Sequence, residues 1–242
     1  MQKRTDAIAA VLSFLACGSP LLTGCSSFRG NIAFENALEK QNAGDYSGAI
    51  SDYNKAIKIN PKDADAYFNR GYAKDELGYS SGAISDYTKA IEINPKDANA
   101  YYNRGNAKDE LEDYLGAISD FNKAIEINPK DADAFNSRGN IKIELEDYLG
   151  AISDYSKSIE INPKDANAYY NRGNIKIDLK DYLGAISDFN KAIEINSNDA
   201  DAYYLRGTAK AMSREMKGAC SDWEKASSLG NEIASRLVKE NC

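Results

Sequence analysis

Apolar residues recur along the chain as two helical stripes in every thirty-four residues. Between Ala98 and Asp131, Tyr101, Gly105 and Leu111 share one face of a first helix. Ala117, Ile118, Phe121, Ala124, Ile125 and Ile127 line a second. Start and stop signals bracket each helix. Asp97, Asp131 and Asp165 stand just before first helices and Asp113 before a second, where a carboxylate can accept hydrogen bonds from unpaired amides. Asn128-Pro129 ends the second helix, because proline lacks an amide donor and restrains the residue before it. Gly105, with no Cβ, predicts close approach of another backbone.

The stretch Ala166 to Asp199 differs from Ala98 to Asp131 at only six of thirty-four positions, so the pattern is a true repeat. In one register the units are 30–63, 64–97, 98–131, 132–165, 166–199 and 200–233. A fixed period of this length predicts an all-α solenoid of six helical hairpins rather than a globular core. Gly230-Asn231 reads as a helix stop followed by a new N-cap, so residues 231–242 are expected to form a C-terminal capping helix, about Glu232 to Glu240. Position 15 of the middle units holds Glu112, Glu146 and Lys180. A left-handed backbone there costs each non-glycine up to about 1 kcal/mol. Arg70, Arg104, Arg138, Arg172 and Arg206 recur at position 7, and Asp52, Asp86, Asp120, Asp154, Asp188 and Asp222 at position 23. This predicts a ladder of Arg–Asp pairs bridging first and second helices, the other reading being a row of ligand-facing arginines.

Composition narrows the function. A chain of 242 residues has no histidine, which removes the commonest general base and metal ligand. The formal charge of -7, without basic clusters, argues against nucleic acid. No nucleophile–base pair, phosphate-cradling loop or ligand cluster occurs, so no catalytic residue, cofactor, metal or small-molecule substrate is expected. Serines such as Ser119 and Ser153 read as solvated helix positions.

The N-terminus is a different kind of segment. Lys3 and Arg4 precede Ala7 to Leu15, an apolar run too short to span a bilayer, as in a secretion signal. Leu22-Thr23-Gly24-Cys25 then resembles the lipobox of bacterial lipoproteins. The resemblance implies a signal peptide over 1–24 and lipidation, palmitate included, at Cys25, with 25–29 as a short tether to the array. Several acyl chains anchor stably where one is marginal. Ser26, rather than Asp, implies the outer membrane in a Gram-negative host. An ordinary cleaved signal, or an uncleaved short anchor, is the other reading. In an exported chain disulfides persist, and a Cys220–Cys242 bond would pin the capping helix; the alternative is two unpaired thiols.

The third unit, with Tyr101, Gly105, Ala117, Phe121, Ala124 and Pro129, and the second, with Tyr67, Gly71, Ala83, Tyr87, Ala90 and Pro95, resemble the tetratricopeptide repeat, or TPR. The first unit departs with Ala33 and Ala37, the fourth with Ser158, and the fifth with Asn196-Ser197-Asn198, which suggests a less rigid junction. The resemblance implies a right-handed solenoid whose first helices line a concave groove, and a final helix like the solvating helix of such arrays. Groove positions are then Phe68, Tyr72, Tyr102, Asn103, Asn106, Asn136, Asn140, Tyr170, Asn171, Asn174 and Tyr204. Amides can pair with a main chain while rings cover apolar side chains, although both can equally serve packing. Asp75, Glu76, Asp109, Glu110, Glu144 and Asp178 make this surface negative, so the expected partner segment is neutral or basic. The family's carboxylate clamp is not expected, since its lysines are missing. The function expected is a non-catalytic, lipid-anchored scaffold or adaptor of the cell envelope, with an assembly chaperone for membrane or photosynthetic complexes as the alternative.

Overall fold

The structure is a computed structural model that describes residues 22–242, with side chains from Arg29 onward. The rest of the expected signal peptide and the Cys25 side chain lie outside the described residues. Among these residues the secondary structure is entirely helical. The helices are α1 (Leu22–Asn42), α2 (Tyr46–Ile59), α3 (Ala64–Asp75), α4 (Ser80–Ile93), α5 (Ala98–Asp109), α6 (Tyr114–Ile127) and α7 (Ala132–Glu144). They continue with α8 (Tyr148–Ile161), α9 (Ala166–Asp178), α10 (Tyr182–Ile195), α11 (Ala200–Met212), α12 (Met216–Ser228) and α13 (Glu232–Asn241). Consecutive helices pair as hairpins, giving the expected α-solenoid architecture. Contacts divide the chain between Ile127 and Asn128 into two compact units, the first holding α1–α6 and the second α7–α13. Residues 25–29, expected as a tether, fall within α1.

The caps are those the sequence encodes. Asp97 Oδ1 accepts from the Asn99 and Ala100 amides at 3.0 and 3.3 Å, and Asp113 Oδ1 from Gly116 at 3.1 Å. Each such cap stabilises its helix by about 1 kcal/mol. Between helices of a hairpin the chain turns through a left-handed residue: φ is 59° at Glu112 and Glu146, 62° at Lys180 and 70° at Arg214. Glu112 N donates to Asp109 O at 2.8 Å and Asp113 N to Lys108 O at 2.9 Å, so a Schellman turn holds the strained residue in place. Between hairpins, Asn128 Oδ1 accepts from the Lys130 amide at 3.3 Å. The same turn forms at Asn196 without a proline, where Asn198 N lies 3.3 Å from Asn196 Oδ1.

Small residues let the helices close on one ring per hairpin. Tyr53, Tyr87, Phe121, Tyr155 and Phe189 are fully buried, flanked by alanines such as Ala117, Ala124, Ala185 and Ala192. A Cβ at Gly105 would stand 2.8 Å from Phe121 Cε1. The glycine therefore admits a ring, and not the backbone that the sequence suggested. A second correction concerns Leu111. It lies beyond the end of α5, is 49% exposed, and does not join the apolar face with Tyr101. Ser158, the departure in the fourth unit, is buried, and its hydroxyl has no hydrogen-bond partner among the described residues.

The Arg–Asp ladder is present, and it has a third member. Arg104 Nη2 and Nε reach the two Asp120 oxygens at 2.6 and 2.9 Å, while Lys108 Nζ reaches Oδ2 at 2.8 Å. Equivalent triads form at Asp86, Asp154, Asp188 and Asp222. Within a unit the arginine also reaches the preceding hairpin: Arg104 Nη1 donates to Thr88 at 3.0 Å and Arg172 Nη1 to Ser156 at 2.9 Å. Its guanidinium lies 5.5 Å from the Tyr101 ring centroid, near enough for a cation–π contribution. These arginines join helices and hairpins and are not a row of ligand-facing charges. The first hairpin, with Asn36 where the others have arginine, holds Asp52 with Lys40 and Lys55 instead.

The C-terminal helix α13 closes the second unit. Ala234, Leu237 and Val238 cover Ala219, Trp223 and Ala226, and Asn231 caps the helix through the Ala234 amide at 2.8 Å. Cys220 and Cys242 form a disulfide with Cα atoms 5.7 Å apart, tying the end of α13 to α12.

Candidate partner-binding face

Within each unit the first helices of successive hairpins lie side by side: α1 beside α3, α3 beside α5, and α9 beside α11. Asn171 on α9 donates to Asn140 on α7 at 3.3 Å. The candidate side chains therefore sit on one kind of surface, five in the first unit and six in the second.

Their roles divide by position. Phe68, Tyr102 and Tyr170 pack against Tyr87, Phe121 and Phe189 with centroids 5.7, 5.8 and 5.9 Å apart. Tyr204 lies against the Trp223 cluster. All four remain half-buried, so each ring presents an edge while its other side belongs to the hairpin. Asn103 donates back to Asn99 O at 2.9 Å. Asn140 is exposed, and its Oδ1 also accepts from the Tyr155 hydroxyl at 2.6 Å. Asn106 is half-buried, Asn174 is exposed, and Asn136 Oδ1 is buried without a partner among the described residues. The amides most accessible to a peptide are therefore on α7 and α9.

The first unit concentrates charge. Ser80 donates to Glu110 at 2.6 Å, and the Tyr46 and Tyr72 ring centroids are 6.4 Å apart. A hydrogen bond to Glu76, with burial second, pushes the Tyr72 phenol up to about 12. Burial, and then the charges of Glu110 and Glu76, push Asp75 up to about 6, while the Tyr87 hydroxyl pulls it the other way. Asp75 thus binds its proton more tightly folded than unfolded. Its contribution to stability is fully present below the ordinary carboxylate range and is lost as the pH rises toward 6. Asp75→Asn is expected to stabilise the chain by about 1 kcal/mol at pH 7.5, discounted because the side chain is only partly buried. Urea denaturation of parent and variant at pH 7.5 and pH 3.5 checks this: the gain should vanish at the lower pH, and an equal gain at both would refute the assignment.

Sequence reasoning missed Ser80, which stands at position 17 of its unit. In the other units that place holds Tyr46, Tyr114, Tyr148 and Tyr182, with Met216 in the last. A lone serine in a column of tyrosines was the available signal.

Models of the TPR repeat match residues 42–78, 76–108 and 139–178, and models of the tetratricopeptide repeat match 98–131 and 166–199. Together they span more than half of the chain. The chain belongs to the tetratricopeptide repeat family. Solved TPR structures resemble it over most of its length. MamA is 27% identical, with 72% of this chain and 94% of that one covered and a TM-score of 0.66. YrrB, described as a TPR protein with an unusual peptide-binding site, is 26% identical, with coverage of 78% and 97% and a TM-score of 0.68. PilF of Pseudomonas aeruginosa is 17% identical, with coverage of 89% and 99% and a TM-score of 0.74, a likeness of fold. No curated protein sequence matches the chain. The TPR architecture is that of a protein–protein interaction scaffold. Among the described residues no helix is long and apolar enough to cross a membrane, and no group of histidine, cysteine or carboxylate side chains is placed to hold a metal.

Proposed function

We propose that this TPR protein is a non-catalytic adaptor, lipid-anchored through Cys25 at the bacterial cell envelope, that holds a neutral or basic partner segment against its first helices. The reading rests on the second-unit face, where the amides of Asn140 and Asn174 are exposed and the rings of Tyr170 and Tyr204 are half-buried. An extended peptide pairs its main chain with such amides and lays apolar side chains on the rings. Carboxylates along the same helices add a preference for positive charge. The Leu22-Thr23-Gly24-Cys25 motif supports the anchor, and a Gram-negative host would place it at the outer membrane.

The test is photocrosslinking in the native host from a reactive residue at position 170, in the parent, in Cys25→Ser and in Asn174→Ala. The parent should fractionate with membranes, carry a lipid-modified mass at Cys25, and yield one stoichiometric adduct. Losing that main-chain contact should reduce the adduct about fivefold. Many substoichiometric adducts would favour the chaperone alternative. A soluble, unlipidated parent would remove the anchor.

A further inference from the structure

A second surface lies at the turns inside the hairpins, away from the candidate face. In the second unit, Leu149 and Leu183 are 74% and 70% exposed, although each is the second residue of its helix. The preceding Tyr148 packs inward against Ala151 and Tyr155, so Leu149 is left outward. Leu145 and Leu179, at the ends of α7 and α9, are 41% and 44% exposed beside them in sequence. Four leucines therefore mark two adjacent turns, and the third hairpin repeats the pair as Leu111 and Leu115, the latter 75% exposed.

Scattered apolar residues are normal on a surface, but these are not scattered. The corresponding places are Ala43 and Ser47 in the first hairpin, Leu77 and Ser81 in the second, and Ser213 and Lys217 in the sixth. Ser47, Ser81 and Lys217 show that small or polar residues satisfy the fold at the 149 position. The leucines are therefore surplus to folding. Within the turns themselves, Glu146, Asp147 and Asp181 are exposed, against Lys180 as the single exposed cation of the two turns. The rim is acidic while the centre is apolar.

We propose that the turn edge carrying Leu145, Leu149, Leu179 and Leu183 docks an amphipathic helical segment of a partner protein whose apolar face is flanked by lysine or arginine. The leucines bury the apolar face, and the carboxylates pair with its basic borders. A second copy of this edge would bring like charges together, and an anionic lipid surface would be repelled. The surface is separate from the face assigned above, and a chain could hold partners at both.

A fluorescein-labelled synthetic peptide of leucines and lysines at helical spacing is the probe, titrated into the full chain at physiological salt and followed by anisotropy. It should bind saturably. Leu149→Ser/Leu183→Ser, which installs the residue present at 47 and 81, should weaken binding at least tenfold without lowering the melting temperature. A peptide with glutamates in place of the lysines should bind at least tenfold more weakly, while Asn171→Ala/Asn174→Ala should leave binding unchanged. Equal affinity for parent and leucine variant would overturn the proposal, as would loss in the asparagine variant. A dimer in sedimentation that the leucine variant dissolves would overturn it in favour of self-association. Leucine-dependent binding to zwitterionic phosphatidylcholine vesicles would do so in favour of lipid.

Discussion

Asp188→Ala should cost the chain about 3–5 kcal/mol, because it removes the anion from a buried pair and leaves the cations behind. The Asp188 side chain is 5% exposed, and Arg172 and Lys176 are 18% and 19% exposed. Arg172 is held by Asp188 on α10, by Ser156 on α8 and over the Tyr169 ring, so it cannot turn to water without releasing both hairpins. Asp188→Asn should lose less, since the amide oxygen still accepts. The internal control is Asp52→Ala. There the partners are Lys40 and Lys55, 43% and 65% exposed, which can rehydrate when the carboxylate goes. Urea unfolding followed by circular dichroism separates the cases: equal losses at Asp52 and Asp188 would mean that the triads behave as surface ion pairs. Replacing Arg172, Lys176 and Asp188 together by apolar residues of similar volume should be far milder than Asp188→Ala, since no stranded charge remains.

The repeat made most of the fold legible before any coordinates. A thirty-four-residue period with Asp caps and Asn-Pro stops fixes helix number, hairpin pairing and the interior ring, and each was a local signal repeated several times. What escaped was whatever depends on two elements at once. Arg104 and Asp120 were readable as a pair because both recur. Lys108 recurs just as faithfully, but four residues after an arginine on one helix it reads as solvated charge. Only the approach of α6 shows Lys108 sharing the Asp120 carboxylate. Leu111 failed for a related reason. Its spacing from Tyr101 suits a continuous helix, whereas α5 ends at Asp109 and the left-handed Glu112 sends the chain elsewhere. The candidate face was legible as a set of positions. The sequence alone did not distinguish ring edges engaged by the hairpin, such as Tyr102 on Phe121, from the exposed amides of Asn140 and Asn174.

Breaking the Cys220–Cys242 bond is the other large change, and its effect should be local. The bond closes a loop across 22 positions, for which the chain-entropy model gives about 3 kcal/mol. That stabilisation belongs to α13, a ten-residue helix with only Ala234 buried and with Leu237 and Val238 half-buried over Trp223. A helix this short does not persist alone in water. In a solenoid each hairpin answers mainly to its neighbours, so releasing α13 should expose Trp223 and loosen α12 while the α7–α8 hairpin keeps most of its protection. Cys242→Ser should therefore speed hydrogen exchange of the α13 amides by about a hundredfold, the same energy read as an opening constant. Exchange in α7 and α8 should change little. The reduced parent should match the variant, because both lack the same constraint. If α13 stays protected after reduction, packing over Trp223 is enough and the disulfide is dispensable; if protection falls throughout the second unit, the cap is needed by every hairpin beneath it, and the neighbour-by-neighbour account fails.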